Sequence, residues 1–239
     1  MNSFSYDIDL PEWLWLYFPF LMLFVLTLAY IIAPNIFFIM MAKDDAKLNL
    51  AIVEHGTVLI LLPGIFGGLW LLIKRNNVLP NYWTKLWFLG WTAACIYFAG
   101  EEASWGQWLF HWNSPEWFIA HNEQQETNLH NLSSWLNQKP RALVELWVVI
   151  AGCIIPLYYL VTGQQLKYSD WRYWCYTTKV CLPTGLCFLL IRIAKSIDTS
   201  IAQDFALSSE LREYYIATFL SIYLMSACKR AAKRENWIE

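Results

Sequence analysis

The chain has 239 residues, 57% of them hydrophobic and 15% charged, with 15 tryptophans, 13 tyrosines and a formal net charge of −2. A soluble domain carries nearer about 25% charged residues, so this composition excludes an ordinary water-soluble fold. The near-neutral charge excludes a broad nucleic-acid surface.

Six apolar runs follow one another along the chain, each close to the roughly 20 residues that cross a bilayer as a helix. The first is Trp13 to Met41, with Pro34 placed to kink or end it. The second is about Leu50 to Ile73 and contains Pro63-Gly64 and Gly67-Gly68. The third is about Leu86 to Gly100, with a helical continuation to Trp112 compatible with the pattern. The fourth, Leu143 to Val161, is interrupted by Pro156. The fifth spans about Tyr176 to Ile193 and the sixth about Leu211 to Cys228. These runs predict an all-α polytopic bundle in one integral membrane domain, 1–239, with a polar, interfacial segment at 101–142. Tryptophan and tyrosine belong at headgroup level in such a bundle. The six cysteines sit in or beside apolar runs without a CxxC pair, which reads as buried small hydrophobes. The acidic N-terminus lacks the basic region that a cleavable signal peptide needs.

Six crossings place both termini on one side. Ten of the seventeen basic residues fall on that side, including the C-terminal Lys229-Arg230 and Lys233-Arg234. The positive-inside rule then makes the termini cytoplasmic. The opposite face collects the 101–142 segment, the starts of the second and fourth helices and the 194–212 connection.

The segment Gly100–Asn131, GEEASWGQWLFHWNSPEWFIAHNEQQETNLHN, holds five carboxylates and three of the four histidines. Ionisable groups near membrane depth are rare and costly, so their concentration marks a candidate site. Helical spacing puts Glu54 on a stripe with Thr57, Gly64 and Gly68, a packed face of small residues. Glu145 and the pair Glu210 and Glu213 face inward by the same reasoning. Ser114-Pro115-Glu116 reads as a helix start with Ser114 as N-cap. A further helical stretch would align Asn122, Glu126, His130, Ser133 and Asn137. Of the adjacent Glu101 and Glu102, an ideal helix lets one point squarely inward.

A Glu and a His four residues apart can share a proton or a metal ion. Glu102 and Glu126 are therefore the candidate catalytic bases. Glu54, Glu101, Glu126, His130, Glu210 and Glu213 are the candidate ligands of a divalent metal. Ser104, Gln107, Asn122, Asn131, Arg192 and Lys195 are further polar site residues. An interface-depth site of this kind suits a metal-dependent hydrolase or transferase acting on a lipid or lipid-linked substrate. Carboxylates that bind protons or cations in a transporter are the second reading. A membrane subunit or scaffold that docks a protein partner is the third.

GEEASWGQ followed by QQETNLHN resembles a family of bacterial polytopic membrane proteins with an EExSWGQ…ETNLHN pattern. That resemblance implies a membrane bundle in a bacterial inner membrane and carries no activity. Glu101-Glu102 is also similar to the double glutamate of CAAX-type intramembrane proteases. The arginine those enzymes carry four residues after the second Glu is Gly106 here, and their Phe-x-x-x-His and His-x-x-x-Asn/Asp elements are missing.

Overall fold

In the computed structural model, residues 10–41, 52–110, 112–122, 127–129, 132, 134–194 and 209–235 are described. No strand occurs among them. A wide helical turn at Trp13–Tyr17 leads into α1 (Phe18–Ile32). Ala33 then leaves helical geometry (φ −141°, ψ 66°) and α2 runs Pro34–Met41. Pro34 thus ends one helix and starts the next, because its ring fixes φ and its nitrogen carries no proton.

Helix α3 spans Ile52–Lys74. Its buried face is Val53, Thr57, Leu61, Gly64, Gly68 and Leu71, at the three- and four-residue spacing of one helix side. The expected packed stripe is present. A Cβ at Gly64 would lie 2.7 Å from Ser221 Cα, and Gly64 N–H donates to Ser221 Oγ at 3.1 Å. A methyl group there would force the two helices apart. Glu54, placed on this stripe by its spacing, lies beside Val53 at the start of the stripe and is half-buried.

Helix α4 is Tyr82–Glu102, capped by Asn81, whose side chain accepts from Thr84 N–H. Two short helices follow, α5 (Gln107–Phe110) and α6 (Glu116–His121). Helix α7 (Ser134–Val149) continues through a wide turn at Ile150–Ile154 into α8 (Ile155–Thr162). The turn sits just before Pro156, whose missing N–H leaves carbonyls of the preceding turn without a helical donor. Thr177 Oγ1 donates to Ala151 O and answers part of that loss. Helix α9 (Trp171–Cys175) and a tight turn at Lys179–Cys181 lead into α10 (Leu182–Ala194). Gly152 and Gly185 meet backbone to backbone, since a Cβ at Gly185 would stand 2.6 Å from Gly152 C.

Helix α11 (Ser209–Glu235) is the centre of the bundle. Every residue from Tyr214 to Leu224 is buried. It packs along α3, α4, α7 and α10. Trp87 of α4 donates to Tyr223 OH at 2.6 Å, and that hydroxyl donates to Cys175 O at 2.8 Å. A helix covered on all sides by protein has no need of a lipid-compatible surface.

Four segments are long and apolar enough to cross a membrane: Trp13–Ile32, Ile52–Lys74, Lys139–Thr162 and Trp171–Ala194. The other two of the six expected crossings, α4 and α11, fall short on mean hydropathy. Tryptophan and tyrosine dilute α4, and charged residues at both ends dilute α11. The protein is an integral-membrane-type helical bundle with lipid-facing apolar helices. All six cysteines are free thiols, and five of them are buried.

The C-terminal basic run has a structural member. Arg230 is buried and donates to the carbonyls of Tyr173, Trp174 and Tyr176. It caps the C-terminal end of α9, with its guanidinium over the Tyr173 ring.

Candidate functional site

The third apolar helix does not continue to Trp112. It ends at Glu102, and the chain reverses through Ser104 (φ 44°), Trp105 (φ 54°) and Gly106 (φ 88°). Three successive left-handed residues break any helical stripe through Trp105 or Gln107. The two that carry a Cβ each cost about 1–2 kcal/mol, so the turn needs compensation.

Compensation comes from the motif itself. Trp105 folds back on Gly100, where a Cβ would meet the indole ring at 2.8 Å. Its Nε1–H donates to Glu101 Oε1 at 2.8 Å, and its ring stands edge-on to Tyr97. The other Glu101 oxygen accepts Leu129 N–H at 2.7 Å. Gln107 Oε1 accepts from Thr127 N–H at 2.9 Å and from Ser114 Oγ at 3.1 Å. Asn122 Nδ2 donates to Asn128 O and Oδ1, at 3.0 and 2.8 Å, and Asn128 Nδ2 reaches Ser104 Oγ at 3.4 Å. Residues separated by up to 28 positions are thus stitched to one turn.

Several expectations are corrected by this arrangement. Glu101 and Glu102 are both buried, at 2% and 7% exposure, because the loop folds over the end of α4 where an ideal helix would have exposed one of them. Ser114 does not cap α6. Pro115 occupies the cap position with no side-chain bond, and Ser114 Oγ is turned toward Gln107 and Thr127. The expected helix through Asn122 and its successors does not form there: Asn122 is extended and Thr127–Leu129 are non-helical, with α7 starting only at Ser134. Glu126, His130, Asn131 and Lys195 lie outside the described residues, as does His111. Trp117 of α6 is exposed and stacks on His121, as suits an interfacial helix.

A cavity of about 220 Å³ lies between α4, α7 and α11. Phe98, Val144, Ile216 and Leu220 form apolar walls, and Glu101, Glu102, Arg141 and Glu213 are the charged groups that line it. It opens beside Tyr97 and Pro140, which are exposed. The fold therefore brings together three candidate residues that are up to 112 positions apart in sequence, Glu101, Glu102 and Glu213. Glu54 and Glu210, both half-buried, do not line this cavity.

Arg141 joins the cavity to an ion cluster. Its Nη2 stands 2.7 Å from Glu213 Oε1, and its Nε 3.5 Å from Glu145 Oε1. Arg212 Nη1 donates to the same Glu145 oxygen at 3.2 Å. Arg192 Nε is 3.6 Å from Glu145 Oε2, with its side chain 42% exposed. Glu145, buried with 9% exposure, is the hub of three guanidinium groups from α7, α10 and α11. Helical spacing aims Glu145 inward and leaves Arg141 outside the expected site residues. The four-residue spacing of Arg141 and Glu145 was the available signal. Glu213 is thus held by an arginine, and Arg192, placed among the polar site residues, serves Glu145.

Among the described residues, no group of three His, Cys, Asp or Glu side chains stands at metal-binding separation. Chemically, the cavity offers buried carboxylates beside an apolar slot, the setting in which a carboxyl group can exchange protons with a bound molecule. No family model, curated protein or solved structure matches the chain.

Proposed function

We propose that this protein is a six-span bacterial inner-membrane enzyme that binds one hydrocarbon chain of an amphiphile in the cavity between α4, α7 and α11. The supporting observation is the cavity's construction: apolar walls of Phe98, Val144, Ile216 and Leu220 end at Glu101, Glu102, Arg141 and Glu213. Its size fits this reading. Sites for whole drug-sized ligands run about 300–1,000 Å³, so a 220 Å³ slot suits part of a lipid, with the remainder in the bilayer. Glu101 is committed to Trp105 and Leu129, so its role is to hold the turn. Glu102 is the acid–base group for hydrolysis or group transfer at the head of the bound molecule. Three carboxylates against one guanidinium disfavour an anionic head next to them.

A divalent metal held by Glu102 together with Glu126 and His130 is the second reading. It is favoured by the anchoring of Thr127 and Leu129, the sequence neighbours of Glu126 and His130, to Gln107 and Glu101. Metal analysis of the purified protein beside Glu126→Ala and His130→Ala tests it, since unchanged metal content in both variants removes those two residues from the site.

The amphiphile reading is tested by titrating detergent-solubilised protein with a fluorescent single-chain monoacylglycerol. Val144→Trp, which fills the slot from a half-buried position, is expected to abolish saturable binding. Glu102→Gln is expected to retain the chain but lose turnover of any substrate found. Equal binding by wild type and Val144→Trp would remove the cavity from the account.

A further inference from the structure

At the other end of α4, about 30 Å from Glu102 by helix rise, lies a second and different recess. It is a groove of about 860 Å³ between the start of α4 and the α8–α9 connection, lined by Asn81, Gln165, Lys167, Ser169, Trp171 and Arg172 among others. Its character is the reverse of the α4–α7–α11 cavity: side-chain amides, a hydroxyl, Lys167 and Arg172, with Asp170 as the acid.

The groups in this groove divide into committed and uncommitted ones. Asp170 and Arg172 are committed to each other, with Nη2 to Oδ2 at 2.6 Å, and Asp170 also caps α9 by accepting Arg172 N–H at 2.9 Å. The side chains of Gln165, Lys167 and Ser169 engage no other side chain among the described residues. Asn81 uses its oxygen on Thr84, which turns its amide nitrogen into a spare donor. With Asp170 neutralised by Arg172, Lys167 leaves the groove with a net positive charge. Trp171 and Tyr176 meet edge to face at its wall, and Trp171 is exposed, as befits headgroup depth.

We infer that this groove is a binding site for a net-anionic phosphate head, one whose phosphate charge no cation of its own balances, its donors being Lys167 Nζ, Gln165 Nε2, Ser169 Oγ and Asn81 Nδ2. An anionic phospholipid headgroup and a free phosphate share that chemistry. The same end of the molecule carries Lys74, Arg75, Lys85 and Lys179, so an anionic leaflet is complementary to it. The site is separate from the amphiphile cavity in position and in charge.

Native mass spectrometry of the full-length protein in detergent tests it, with phosphatidylglycerol and phosphatidylcholine of matched chains added in competition. Wild type is expected to retain phosphatidylglycerol over phosphatidylcholine, and Lys167→Glu to reduce that preference about fivefold or more, the effect of one lysine at a charged headgroup. Gln165→Ala with Ser169→Ala reduces it further, while Glu102→Gln leaves it unchanged. Millimolar inorganic phosphate resolves the source. Retained lipid assigns the site to a headgroup, and displaced lipid assigns it to phosphate itself, both in support. Equal retention of the two lipids, or a preference indifferent to Lys167→Glu, overturns the proposal.

Discussion

Two regions near the same end of the bundle satisfy buried and half-buried carboxylates in opposite ways. In the turn after α4, Glu101 is held by neutral donors, the Trp105 indole four positions on and the Leu129 backbone amide 28 positions on. In the ion cluster, Glu145 is held by Arg141 of its own helix and by Arg192 and Arg212 of two others, and Glu213 by Arg141, with Arg212 lying 67 positions from Glu145. The turn is a local device that fixes a backbone reversal. The cluster is a tertiary device that ties α7, α10 and α11 together. The cavity lies where the two meet, lined by Glu101 and Glu102 from one and by Arg141 and Glu213 from the other.

The largest effect is expected in the cluster. Arg141→Met leaves Glu213 without its 2.7 Å partner and weakens the hub at Glu145. Breaking a fully buried pair on one side costs ~3–5 kcal/mol; with these two side chains 17% and 20% exposed, the loss is a discounted part of that, read as a lowered unfolding midpoint in detergent. Adding Glu213→Leu is expected to recover much of that loss, because both charges are then gone. No recovery would mean that Arg141 acts through packing, and the cluster would lose its meaning as an ion network.

The turn predicts a smaller, local loss. Glu101→Ala removes the acceptor of two N–H groups and costs ~1–3 kcal/mol. Hydrogen exchange at the Leu129 amide is expected to accelerate, while exchange in α10 and α11 is unchanged. Trp105→Phe keeps a ring over Gly100 and removes only the indole donor, for ~1 kcal/mol. A global unfolding in either variant would erase the distinction between local and tertiary devices.

The smallest effect concerns the far end of α4. The hydrogen bond from Arg172 holds the Asp170 carboxyl below its ordinary value, with the α9 backbone N–H adding to it. A depressed folded value means that the stabilisation is fully present above the unfolded value of about 4 and is lost as pH falls through the folded one. Asp170→Asn is expected to remove a shallow acid-limb decline in the unfolding midpoint and to leave the neutral-pH behaviour of the cluster untouched.

Much of the local device was legible in the sequence. The GEEASWGQ and QQETNLHN stretches marked a special segment, although a helical continuation to Trp112 was the wrong geometry for it. Positive φ at Ser104 and Trp105 is what sequence spacing could not convey, because those residue types do not advertise it. The inward faces of α3 and α11 were legible too, since small residues at helical spacing leave little choice. The cluster was half legible. The orientation of Glu145 followed from its helix face, but its arginine partners depend on how α7, α10 and α11 cross. Arg230 looked like one of several topology-setting cations and proved to be a helix cap, because the carbonyls it binds belong to α9, more than 50 positions away.

The central claim is that the cavity takes a membrane amphiphile, and neighbouring residues of one helix test it. Leu143 is 71% exposed on the outer face of α7, whereas Val144 lines the cavity. A photo-cross-linking phenylalanine analogue at each position, activated in native membranes, reports what each side touches. Position 143 is expected to capture bulk lipid in proportion to its abundance. Position 144 is expected to capture a restricted set of amphiphiles, lost when Leu220→Trp closes the slot. The same lipid mixture at both positions, or a capture at 144 that survives Leu220→Trp, would contradict the account.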